Sequence, residues 1–161
     1  MQSVILRPSH FMELWLSPAL GFDFVNGSVR IYGPGEAKGN YISAFDVADF
    51  AVAAVQRKDN NENAIPEIGG PEPLSQLDAV KIFEQALEKK FRLEHVPAEA
   101  LHQQYSSPDP LQKTFAALML GYTQGDEIKG AQETAKKYGI HLTSVSAYAS
   151  RVRGESAGTA A

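Results

Sequence analysis

Four consecutive residues, Pro8-Ser9-His10-Phe11, follow a short apolar run, Val4-Ile5-Leu6, and open an apolar stretch at helical spacing, Phe11, Leu14 and Trp15. This order predicts a buried-type strand ending at the proline, a polar turn and a helix, the repeating unit of parallel α/β sheets. A loop at the carboxyl end of a parallel strand is where such sheets bind ligands. His10 is the group in this loop that can give or take a proton near neutral pH. Its plainer reading is an exposed side chain, with Ser9 capping the helix and Phe11 packing, because no carboxylate or lysine stands at a partnering spacing. Met12 and Trp15 suit a pocket wall, although their i, i+3 spacing is that of a core face.

Other chemistry is thinly represented. Gly33, Gly35 and Gly39 are spaced G-x-G-x-x-x-G and lead into Tyr41-Ile42 rather than a helix, so they read as a turn and not a phosphate cradle. None of the six tyrosines has a lysine four residues on, so no Tyr-x-x-x-Lys pair can lower a phenol pKa. The absence of cysteine, H-E-x-x-H and G-x-S-x-G removes thiol, zinc-protease and serine-hydrolase readings. His95 and His102 lack ligand spacing and His141 stands alone, so no metal is expected. Asp46 and Asp78 read as helix caps, not as an acid–base pair. A net charge of −4 without a basic run argues against nucleic acid as a partner. The most apolar windows, 50–55 and 115–121, are too short to span a bilayer. With no secretion signal ahead of the first strand, the expected location is the cytoplasm.

A chain of 161 residues is expected to form about one domain. Residues 1–73 read as sheet-rich. Val29–Tyr32 and Asn40–Ile42 are two strands able to pair as a hairpin across the glycine turn. Ser43 with Asp46 has capping-box spacing and opens a helix, Phe45 to Arg57, apolar nearly all round and therefore expected to be buried. A polar loop, Asp59 to Asn63, precedes a strand, Ala64 to Ile68. Residues 74–153 read as mainly helical. Ser75 and Asp78 repeat the capping box, and Leu77, Val80, Phe83 and Leu87 share one face. A strand, Phe91 to Val96, leads to Pro97, which opens a helix through about Gln104. Asp109-Pro110 caps a helix whose core face would be Leu111, Phe115, Leu118, Met119 and Tyr122. Gly125-Asp126 would end that helix and cap the next, which runs to Gly139. Thr143 would cap a last one through about Val152. Residues 154–161 form a small, polar tail.

Several segments, in order, resemble the NmrA-like branch of the atypical short-chain dehydrogenase/reductases. They are Val4 to Phe11, Tyr41-Ile42-Ser43-Ala44-Phe45-Asp46-Val47-Ala48, Glu67-Ile68-Gly69-Gly70-Pro71-Glu72-Pro73-Leu74-Ser75, His95-Val96-Pro97 and Lys137 to Thr143. The resemblance covers roughly residues 3 to 152 and implies the C-terminal half of such a protein. The fold would be α/β, a partial Rossmann-like parallel sheet remnant with a helical, substrate-side subdomain. The glycine-rich cofactor half would be missing. The resemblance further implies that Pro8, Ser9, His10 and Phe11 pass the nicotinamide end of NADP and that Met12 and Trp15 line a substrate pocket. It names no catalytic residue. Three functions stay open: a portion of an NAD(P)H-dependent oxidoreductase, a non-catalytic module or sensor for a small apolar molecule, and an oligomeric interaction protein. An unpaired edge on the Val4–Leu6 strand would favour a homo-oligomer.

Overall fold

A computed structural model describes residues 3–57 and 64–158, with no side-chain account beyond Gly154. The chain opens as an extended segment. Ile5, Arg7 and Ser9 donate their N–H groups to the carbonyls of Ala64, Pro66 and Ile68, each at 2.9–3.0 Å. Its regular pieces are β1 (Arg7–Pro8), parallel to β6 (Glu67–Ile68), and β2 (His10–Phe11), parallel to β5 (Lys38–Ile42). β1 ends at Pro8 as expected, and the extended chain continues past Ser9 into β2. Only odd-numbered residues donate towards β6, so a proline at position 8 costs that ladder no hydrogen bond.

The expected hairpin does not form. β4 (Ser28–Tyr32) lies between β3 (Phe22–Asp23) and β8 (Arg92–Val96), whereas β5 lies between β2 and β7 (Pro73–Ser75). Both edges of each strand are thus taken by other partners. The β4–β8 ladder is parallel over five residue pairs and stitches the helical part to the first 73 residues. The main core crosses the same boundary, with Met12, Phe22, Ile31 and Tyr41 packed against Val80, Phe83, Phe91 and Tyr148.

Helix α1 (Met12–Trp15) starts without a side-chain cap. Helix α2 (Ala44–Gln56) is not buried all round. Phe50 is fully covered, but Phe45, Val52 and Val55 are 67%, 54% and 87% exposed. Among the described residues α2 packs one apolar face, on the cluster of Leu6, Ile42, Ile68 and Ala135. Ser43 caps α2 by accepting from Phe45 N–H, but Asp46 does not close the box. Its carboxylate accepts from Thr143 N–H at 2.7 Å and Thr143 Oγ1 at 2.8 Å. Glu13 replaces it, taking Ser43 Oγ at 2.7 Å and Ala44 N–H at 3.0 Å. Engaged with Asp46, Thr143 leaves the capping of α7 (Val145–Gly158) to Ser144, which accepts from Ala147 N–H. Residues 154–158, expected in the tail, continue that helix. The loop 59–63 and residues 159–161 lie outside the described residues.

The capping box of Ser75 and Asp78 forms as the spacing predicts and opens α3 (Gln76–Leu87). Two further helices follow β8, α4 (Ala98–Tyr105) and α5 (Pro110–Gln124), the latter capped by Asp109. The buried face of α5 is rotated from the expected one. Ala116 and Met119 have no exposed surface, while Leu111 is 77% and Leu118 46% exposed. Met119→Ala should therefore cost about 2–5 kcal/mol and Leu118→Ala less than about 0.5 kcal/mol in denaturant unfolding. Equal losses would mean that this helix is seated on Leu118 after all. Asp126 does not cap α6 (Ala131–Tyr138), whose N-cap is Gly130. Asp126 bridges to β5 instead, donating its N–H to Lys38 and accepting from Asn40 N–H.

Candidate site at the carboxyl ends of the strands

The first strand changes partner at Ser9, from β6 to β5. Ser9 is buried and donates Oγ to the Asn40 carbonyl at 2.7 Å, so it joins two strands and does not cap α1. Asn40 extends the connection. Its Nδ2 donates to the Gly70 carbonyl at 2.8 Å and its Oδ1 accepts from Ile128 N–H at 2.9 Å. Ends of three strands and the loop after α5 are thereby tied at one buried amide. Gly70 lies flat on Tyr41, where a Cβ would come within 1.8 Å of the Tyr41 carbonyl oxygen. The Gly-Gly-Pro turn is therefore a contact between two backbones, not simply a strand stop.

His10 is enclosed by aromatic rings, against the expectation of an exposed side chain. Its ring centroid lies 4.6 Å from Trp15, 5.2 Å from Tyr122 and 6.0 Å from Tyr41. Below it, a Cβ on Gly39 would stand 3.1 Å from Nδ1, so the missing side chain makes room for the imidazole. His10 Nδ1 is buried without a hydrogen-bond partner among the described residues. Burial lowers the His10 pKa below its ordinary value, while the charge of Asp126 opposes the shift. The Tyr41 and Tyr122 hydroxyls hydrogen-bond each other, and burial raises both phenols above their ordinary range. The cluster thus favours a neutral imidazole and two neutral phenols. It offers no charged acid–base pair.

Pro8 and Phe11 are half-buried beside this cluster. Met12 has no exposed surface and packs in the main core. Trp15 is half-buried and lines a small internal cavity with Phe22, Ile31, Tyr32 and Tyr122, of about 10 Å³, the room of one water molecule. Among the described residues no three His, Asp or Glu side chains converge as metal ligands. Nor does the glycine turn offer a phosphate cradle. A Cβ at Gly35 would meet Ile31 at 2.4 Å and one at Gly33 would meet Thr123 at 3.0 Å, so both glycines are closed on the protein itself. Dinucleotide pyrophosphate does not fit there. The sequence marks Gly39 only as part of a turn, and does not mark Asn40, Gly70 or the tyrosine pair as site residues; the Gly-Gly-Pro turn and the Tyr41-Ile42 strand are the available signals.

No protein-family model and no curated protein matches the sequence. Solved structures do. An NADPH-dependent quinone oxidoreductase from Escherichia coli is 16% identical, with a TM-score of 0.73 over 92% of this chain and 54% of its own. The Citrobacter sp. triphenylmethane reductase, complexed with NADP(H), is 17% identical, with a TM-score of 0.71 over 93% of this chain and 52% of its own. A nucleoside-diphosphate-sugar epimerase from Staphylococcus aureus is 17% identical, with a TM-score of 0.69 over 91% and 51%. The fold is Rossmann-like α/β. The chain spans about half the length of the structures it matches. Among the described residues no helix is long and apolar enough to cross a membrane.

Proposed function

We propose that this chain is the substrate-side portion of an NmrA-like, NAD(P)H-dependent oxidoreductase acting in the cytoplasm. The observation that carries this reading is a mismatch. Over nine-tenths of its length the chain shares its fold with half of two NADPH-linked reductases, yet its clustered glycines are packed shut. On this reading Pro8 to Phe11 face the nicotinamide end of NADP, with the aromatic cluster around His10 as a flat wall beside a small apolar substrate. The pyrophosphate cradle must then come from residues outside these 161 or from another chain. A bound NADPH would supply the hydride; this chain supplies the wall, the neutral imidazole and the frame holding both.

The 161-residue chain alone should therefore bind NADPH more weakly than about 1 mM, equivalent to a free energy no better than about −4 kcal/mol. Calorimetric titration measures this directly. Micromolar binding would overturn the reading, because an adequate cradle would then be present in the chain itself.

The chain also carries surface suited to a second copy. Val4 is bridged to Ala64 through the flanking Ser3 carbonyl and Ile5 N–H, so the N–H and C=O groups of Val4 itself and of Leu6 point to the opposite edge, where no described strand is paired. Ile5 and Ile65, on the bare face of this ribbon, are 55% and 58% exposed. An open, apolar edge of this kind favours a homo-oligomer.

A further inference from the structure

A cleft of about 380 Å³ opens between the Gly-Gly-Pro turn, α6 and the segment that follows α6. It does not include Pro8 to Phe11 and is independent of the cofactor reading. Its floor is apolar. Ala135 is buried in the same cluster as Ile68 and Phe50, with Ile140 and Leu142 packed against it. Pro71 forms one wall, held by Gln132 Nε2, which donates to the Pro71 carbonyl at 2.6 Å. That wall is stiff, because the adjoining Gly70 rests on the Tyr41 backbone. The cleft is thus formed before any ligand arrives, which lowers the ordering cost of binding.

Its polar lining is one-sided. Lys136 and His141 stand on the rim, and among the described residues no acidic side chain lines the cleft, although the chain as a whole carries a net charge of −4. Both side chains are exposed, and neither makes an ion pair or a side-chain hydrogen bond with a described residue. The end of α6 would ordinarily repel an anion through its free carbonyls. Here those of Ala135, Lys136 and Lys137 are taken, by Ile140 N–H, Gly139 N–H and the Arg57 guanidinium respectively. A cation and an imidazole over an apolar floor select an amphipathic anion. The volume sets its size at a short hydrocarbon or single-ring body.

We infer that this cleft binds a small amphipathic carboxylate, its apolar body on Ala135, Ile140 and Leu142 and its carboxylate on Lys136 and His141. The test uses the full chain with octanoate and octanamide, which share a tail and differ in head-group charge. Octanoate should bind saturably with a dissociation constant of about 1 mM or tighter, and should shift the amide resonances of residues 135, 136 and 140–142. Octanamide should bind about 10-fold more weakly. Lys136→Met removes an exposed charge without disturbing the fold, as circular dichroism would verify. It should weaken octanoate by about 10-fold and leave octanamide unchanged. Equal affinity for the two probes, no effect of Lys136→Met on octanoate, no saturable octanoate binding, or shifts confined to the exposed face of α2 would each overturn the inference.

Discussion

Gly70→Ala should lower the stability of this chain by more than about 3 kcal/mol, or prevent it from folding, in denaturant unfolding followed by circular dichroism. The added methyl would lie 1.8 Å from the Tyr41 carbonyl oxygen and 2.9 Å from its carbon. Neither atom belongs to a flexible side chain, so relief requires that two strands separate. Separation would also break the Asn40–Gly70 hydrogen bond and loosen Ser9 on the Asn40 carbonyl. Gly121→Ala provides the control. Gly121 is inside α5, where a Cβ would meet nothing within 4 Å, and there alanine should stabilise by about 0.4–1 kcal/mol through lower chain entropy. If Gly70→Ala instead stays within about 1 kcal/mol of the parent, the β5 backbone can retreat freely. The frame beneath His10 would then not be rigid.

Local chemistry was legible in the sequence where it closes within a few residues. Ser75 with Asp78 and Asp109 with Pro110 cap their helices as their spacing predicts, since each bond spans two or three residues. The same spacing at Ser43 and Asp46 misleads, because Thr143, 97 residues away, offers Asp46 two donors and Glu13 covers the vacated helix end. Composition failed for α2 for a related reason. An apolar helix is buried only when both its faces have partners, and the described residues cover one. On α5 the large residues drew attention to Leu111 and Leu118, whereas the face that packs is set by Ala116 beside Met119. At the candidate site, the position of His10 at the end of a parallel strand was legible. Its burial was not, since Trp15, Tyr41 and Tyr122 come from three separate elements.

At tens of micromolar, an order-of-magnitude working range, the chain should sediment as a homodimer or larger assembly, and Ile5→Lys should raise the dissociation constant at least about 100-fold. The register of β1 on β6 places Arg7 opposite Glu67, and hence Ile5 beside Ile65 on the same face of the ribbon. On that face the exposed pair Arg7–Glu67, 3.1 Å apart, is the polar neighbour of two exposed isoleucines. The free edge at Val4 and Leu6 can be extended by the same strand of a second copy, running antiparallel across a two-fold axis. Such pairing would satisfy the outward backbone groups and cover Ile5 in both copies at once. A lysine at position 5 would put two ammonium groups into that interface, where burying a charge without a partner costs several kcal/mol. It would also stand close to Arg7, adding like-charge repulsion. Ile5 is more than half exposed in the single chain, so the substitution should leave monomer stability within about 0.5 kcal/mol, which separates a lost interface from a lost fold. A parent chain that stays monomeric and well folded throughout this range would sink the idea. So would an Ile5→Lys chain that associates as tightly as the parent, since the contact would then lie elsewhere, and the exposed face of α2 would be the next surface to test.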